Sequence, residues 1–161
     1  PDDRRTLIND RTGMGMGMNL AKPAGKITMG LVALILVIGV PLVAVWLVAI
    51  DFTPRTARIE DGELYFQHFT ERYEIPLDEI SETELLYELP RAARVAGTGM
   101  DTLCEGRFDV EGYENVRISL DPQQDCYIVV LTDEGLTRIF NLMTREETEA
   151  FYAELLRALP E

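Results

Sequence analysis

One uncharged run, ITMGLVALILVIGVPLVAVWLVAI at residues 27–50, limits what this chain can fold into more than any other feature. Thr28 is its only polar side chain, and Leu, Val and Ile dominate the rest. At 1.5 Å per residue, about 24 helical residues reach roughly 36 Å, enough to cross a hydrocarbon core of about 30 Å with some tilt. In lipid the backbone must satisfy its own hydrogen bonds, so such a run has to be a helix. Lys26 and Asp51 bracket it, and Trp46 lies near one end, where an amphipathic ring suits the interface. A cleaved signal peptide does not fit: its apolar core is shorter, and Val48, Ala49 and Ile50 lead straight into Asp51 without a small-residue cleavage site. A buried core helix of this length would carry some charge in so small a protein. A transmembrane helix is therefore expected, bent at Pro41 behind Gly39.

The span divides the 161 residues into a short leader, 1–26, and one soluble domain, 51–161. That domain is long enough to bury a core without disulfide or metal staples. Charge is distributed unevenly between the two parts. Residues 1–50 hold Arg4, Arg5, Arg11, Lys22 and Lys26 against Asp2, Asp3 and Asp10, whereas residues 51–161 hold 10 arginines, no lysine and 25 acids, a net of −15. Phosphate-rich ligands need clustered Lys and Arg, so the domain's field argues against nucleic acid and against anionic lipid headgroups. Counting near the span, Arg11, Lys22 and Lys26 precede it, while Arg55 and Arg58 follow. This three-to-two excess points to a cytoplasmic leader and an extracytoplasmic domain at the cell membrane. Cys104 and Cys126 leave the compartment open, because they can pair outside or stay as free thiols inside.

In the leader, Arg11-Thr-Gly-Met-Gly-Met-Gly-Met-Asn19 alternates Gly with Met, a pattern that predicts a flexible connector and no regular element. Gly13, Gly15 and Gly17 lack the preceding strand and following Lys-Ser or Lys-Thr of a phosphate loop. The stretch from Asp2-Asp-Arg-Arg through Arg11-Thr-Gly-Met-Gly to Asn19-Leu and Pro23 resembles the short loop between membrane helices in a group of poorly characterised bacterial integral membrane proteins. That resemblance, with a first residue that is proline, implies a further helix upstream.

Beyond the span the periodicity changes to two. Thr56–Glu60, Asp61-Gly62 and Glu63–Phe69 spell a hairpin, since Asp-Gly favours the type I′ turn that matches strand twist. Leu64, Phe66 and His68 share one face. Further strands are expected at Arg72–Ile75, Glu82–Leu89, Thr102–Val110, Val116–Leu120 and Leu136–Leu142. Cys126–Thr132 is so apolar that it should be buried on both sides. Arg91–Gly99, rich in Ala, Gly and Arg, is expected to be a loop. Thr144-Arg-Glu-Glu147 has the form of a capping box, and Phe151, Leu155 and Leu159 recur at four to give an amphipathic closing helix. The expected fold is mainly β: about seven antiparallel strands in a small barrel or bent sandwich, capped by a C-terminal α-helix.

This order resembles the bacterial pleckstrin-homology-like (PH-like) domains over residues 55–160. The similarity rests on Arg72-Tyr-Glu-Ile-Pro-Leu-Asp-Glu-Ile80, the 91–99 segment, Gly106-Arg-Phe108, Tyr127-Ile-Val-Val-Leu-Thr132 before Gly135, and Phe140-Asn-Leu142 ahead of the Thr144 helix. It implies a role in interaction and assembly at membranes, and no enzyme activity. The acidity departs from the basic phosphoinositide pocket of eukaryotic relatives.

No catalytic constellation stands out. His68 is the only histidine, which rules out a multi-His metal site within the chain, and a packed strand residue is the expectation for it. Cys104 and Cys126 lack metal-ligand spacing. The acids at 78–88 and 109–114 match neither a calcium loop nor a glycosidase pair and fit solvated edges and turns. No cofactor, metal or catalytic residue is expected. Arg91 and Arg94 beside Gly97 and Gly99 form the one basic, flexible spot in an acidic domain, and so the candidate partner-contact site. Two function classes follow: a non-catalytic membrane-tethered module that binds a protein partner or itself, or the terminal domain of a multi-pass transporter-like or immunity-type protein whose activity lies upstream.

Overall fold

The computed structural model describes residues 7–9, 16–18, 22–69 and 71–160 and separates the chain into two units, Pro1–Ala49 and Ile50–Glu161. Arg4, Arg5 and Arg11, with most of the Gly–Met stretch, lie outside the described residues. Two three-residue strands open the first unit. β1 (Leu7–Asn9) pairs antiparallel with β2 (Met16–Met18), Leu7 opposite Met18. A regular element thus stands where the Gly–Met alternation predicted none. A ladder this short needs only backbone groups, and Gly17 offers them freely.

The apolar run forms one helix that starts earlier and ends later than expected: α1 (Pro23–Leu34), a π-helical turn at Ile35–Gly39, and α2 (Val40–Phe52). The early start follows from Pro23 at the first helical position, where its fixed φ and missing N–H cost nothing. The irregularity expected at Pro41 appears one turn ahead of it. Pro41 has no N–H for the carbonyl four residues back, and the Val40 N–H reaches the Ile35 carbonyl, five residues back. Pro23–Ala49 is long and apolar enough to cross a membrane, and its large side chains from Ile27 to Val48 are exposed.

The second unit is a bent sandwich. Its smaller sheet is an antiparallel meander of β3 (Thr56–Glu60), β4 (Glu63–His68) and β5 (Glu71–Pro76). Asp61 and Gly62 join β3 to β4 with φ of 54° and 81°, the left-handed pair a type I′ turn requires. After a 3₁₀ turn at Leu77–Glu79 comes the larger sheet: β6 (Ile80–Leu86), β7 (Ala92–Gly99), β8 (Cys104–Val110), β9 (Tyr113–Leu120), β10 (Tyr127–Thr132) and β11 (Thr137–Phe140). The strand order is β6-β10-β11-β9-β8-β7, antiparallel except for β11 beside β9. α3 (Arg145–Ala158) closes the chain, and the Thr144 hydroxyl caps it by accepting the Glu147 N–H at 3.2 Å.

β10 is buried on both faces, as its composition requires. Ile128 and Val130 join Leu64, Phe66, Ile75, Phe140, Phe151 and Leu155 in a core between the two sheets and α3. The Phe66 ring stacks on Tyr73 at 4.9 Å and meets Phe140 at 5.0 Å, which in turn meets Phe151 at 6.3 Å, so aromatic contacts run through both sheets to the helix. On the opposite face Tyr127 and Val129 pack with Phe108, Val110, Val116, Ile118, Leu120 and Ile139, all from the larger sheet itself. That sheet therefore covers its own second face by curling. The link between its outermost strands agrees: the five residues between Leu86 and Ala92 reach about 20 Å at full extension, whereas six flat strands would set β6 and β7 about 24 Å apart. β6 and β7 are nonetheless unpaired, so the sheet stays open and the architecture is a sandwich rather than a closed barrel.

One expectation fails here. The 92–99 segment is not a loop but the edge strand β7, paired with β8 from Ala92↔Val110 to Gly99↔Cys104. It is exposed along almost its whole length, so no alternation of apolar and polar residues marks it in the sequence. Its glycines obey a backbone rule instead. Gly97 faces Gly106, with φ of 126° and 128°, and a Cβ on Gly97 would overlap the Glu105 carbonyl oxygen and lie 2.9 Å from the Gly106 Cα. Gly97→Ala is accordingly expected to cost about 2 kcal/mol or more, and Gly62→Ala, in open space, about half of that. Thermal denaturation of the two variants, followed by far-ultraviolet circular dichroism, compares them directly.

Candidate functional site

The residues singled out for partner contact all lie on or beside β7. Arg91 immediately precedes the strand, and its carbonyl accepts the Glu111 N–H at 3.0 Å. Arg94 pairs in register with Phe108, and a β-bulge follows in which Val95 is the extra residue, 56 % exposed. The Arg94 side chain runs forward along the strand: its Nη1 would lie 3.4 Å from a Cβ built on Gly99. The structure thus joins Arg94 with Gly99, sets Gly97 against Gly106, and leaves Arg91 at the far end. An exposed edge strand invites unwanted pairing, and charge, a bulge and a kink each blunt it. β7 carries charge at Arg94 and a bulge at Val95, so its free edge is guarded.

His68 is packed as expected and has a partner that sequence spacing gave no means of finding. Its ring is 1 % exposed, and Nδ1 lies 2.6 Å from Oε2 of Glu105 on β8, which also accepts the Ser119 hydroxyl at 3.3 Å. The pair ties β4 of the small sheet to β8 of the large one. Its order matters chemically. A hydrolytic triad places the serine on the histidine, whereas here Ser119 donates to the carboxylate and is itself 3 % exposed. The arrangement holds two sheets together and presents no nucleophile to solvent.

An ion pair of the buried Arg55 with Asp121 at 3.6 Å anchors the residue just before β3 to the β9–β10 turn, and Arg55 Nη2 donates to the Leu142 carbonyl at 3.5 Å. Cys104 and Cys126 carry free thiols, and burial pushes both up from the ordinary thiol value, with Arg94 partly opposing the shift at Cys104. A thiol kept protonated is a poor nucleophile. Among the described residues no three His, Cys, Asp or Glu side chains gather as a metal site.

A concavity lies at the open mouth of the curled sheet, where β6 faces the β8–β9 turn and the start of β9. It is a groove of about 700 Å³. Val129, Leu131 and Thr137 form its floor, Glu82 and Glu84 one wall, Glu111, Tyr113 and Glu114 the other, with Pro90 at one end. The Tyr113 hydroxyl spans the gap and donates to Glu84 Oε2 at 2.9 Å, and burial together with that bond pushes its pKa up to about 12. In the sequence these acids fit solvated edges and turns. Each one is exposed, but only the curl of the sheet brings 82–84 against 111–114.

Removing His68 takes the closest partner from the largely buried Glu105 carboxylate and opens a cavity between the sheets, and both are costly. His68→Ala is expected to lower unfolding stability by about 3 kcal/mol, and Glu105→Gln, which keeps an acceptor for the ring, by about 1 kcal/mol. Guanidinium titrations of the two variants check the order.

The comparisons with known proteins agree with this architecture. A family model described as a bacterial PH domain matches residues 55–158, from the residue before β3 to the last turn of α3. Neither a curated protein nor a solved structure matches the chain. The matched stretch is well over half of the sequence and coincides with the sandwich and its closing helix: this chain belongs to the bacterial PH domain family.

Proposed function

We propose that the chain is a non-catalytic module held at a bacterial membrane by its apolar helix, whose PH domain binds a protein partner or a further copy of itself. The observation that carries this reading is β7, an eight-residue strand bonded on one side only and exposed almost throughout, with Arg91, Arg94 and Val95 projecting from a strongly acidic domain. A guarded edge of this kind resists indiscriminate sheet pairing and leaves a small chemically distinct contact patch. The excess of 25 acids over 10 arginines in residues 51–161 disfavours anionic headgroups as the ligand of the domain's bulk surface.

A photo-crosslinking amino acid at Val95 in the membrane-embedded chain tests this role. A discrete protein adduct is expected there and not at Glu154 on the exposed side of α3; crosslinks to lipid alone, or none at Val95, would contradict it. The three-to-two excess of Arg11, Lys22 and Lys26 before the apolar run over Arg55 and Arg58 after it supports a domain on the extracytoplasmic side. Protease added to cells with a permeable outer layer and an intact inner membrane should then degrade residues 51–161, and their survival would place the domain in the cytoplasm.

A further inference from the structure

We infer that the groove at the mouth of the curled sheet is a docking site for a basic segment of a partner protein, one that interleaves Lys or Arg with apolar residues. Two features of the groove select that occupant. Its floor is largely apolar, with Val129 and Leu131 beside Thr137 at the base, and at about 700 Å³ it holds several side chains rather than one ion. Its walls carry one sign of charge only: Glu82 and Glu84 from β6 face Glu111 from the β8–β9 turn and Glu114 from the start of β9. Low-dielectric walls lined with a single charge concentrate the field and favour a counter-charged ligand. The long alkyl stem of a lysine or arginine fits the same geometry, lying along the apolar floor while its charged head reaches the rim.

The chain's own chemistry narrows the choice further. A second copy of the domain brings 25 acids against 10 arginines, and that net charge of −15 is repelled by the acidic walls. The basic leader lies before an apolar helix that, once it spans a membrane, puts leader and domain on opposite sides. The partner is therefore another protein. This inference rests on the domain being a protein-binding module, but the surface is separate from β7: a crosslink at Val95 and binding in the groove fail independently.

The test uses the full chain in nanodiscs of neutral lipid and a fluorescein-labelled hexapeptide, Lys-Val-Lys-Val-Lys-Val, read by anisotropy at physiological salt against empty nanodiscs. Saturable binding is expected. Glu82→Gln with Glu84→Gln should weaken it about tenfold, as should Glu111→Lys at an exposed turn position where folding is not at stake. Asp101→Asn with Glu154→Gln removes the same charge outside the groove and should leave affinity within about twofold. Equal loss from the two double variants would reduce the effect to overall charge and overturn the inference. So would equal binding of a Lys-Ser hexapeptide, which removes any use of the floor, displacement by spermidine at the peptide's own concentration, or no binding at all.

Discussion

A single strand, β10, has to be buried on both faces, and the rest of the domain is arranged to satisfy it. Ile128 and Val130 on one side and Tyr127 and Val129 on the other leave no face for water. One face is covered by other elements, the three-stranded sheet and α3. The second is covered by the sheet's own curvature, which gathers Phe108, Val116, Ile118 and Ile139 over Val129. Burial at roughly 25 cal/mol per Å² of apolar surface makes this two-sided core the dominant favourable contribution in a domain of this size. The short β6–β7 link follows from the same curvature, and so does the groove where the curl stops short of closure.

Polar groups settle how the layers meet. The buried His68–Glu105 pair crosses from the small sheet to the large one, and Glu105 stands next to the Gly97–Gly106 pair on β8. Arg55 and Asp121 make a second link, between the segment leading into β3 and the turn after β9. Side chains of these types would mark a catalytic centre if they converged in a cleft. Here they lie between layers, while the cleft itself contains carboxylates and a tyrosine. The proposed recognition of a protein surface draws on that division.

Much of the fold was legible because local rules and the global architecture agree. Asp61-Gly62 fixes a turn by its φ, Thr144 caps a helix, and the alternation Leu64, Phe66, His68 names an inward face, all within a few residues. β7 escaped because a strand exposed on both faces carries no hydrophobic period, and its Ala, Gly and Arg composition reads as a loop. The Glu105 partner of His68, 37 residues away, and the approach of 82–84 to 111–114 depend on strand order and sheet curvature, which no local pattern encodes. At the helix, Pro23, Gly25 and Lys26 interrupted the apolar signal although Pro23 is well suited to a first turn.

Amide hydrogen exchange of the full chain, read by mass spectrometry, tests the two-sided core most directly. If β10 is the spine of the domain, peptides covering Tyr127–Thr132 should be the slowest to exchange in residues 51–161, opening only with global unfolding, while Ala92–Gly99 on the exposed edge exchanges far earlier. Exchange of Tyr127–Thr132 as fast as that of Ala92–Gly99 would contradict the account, because a strand enclosed on both faces cannot open alone.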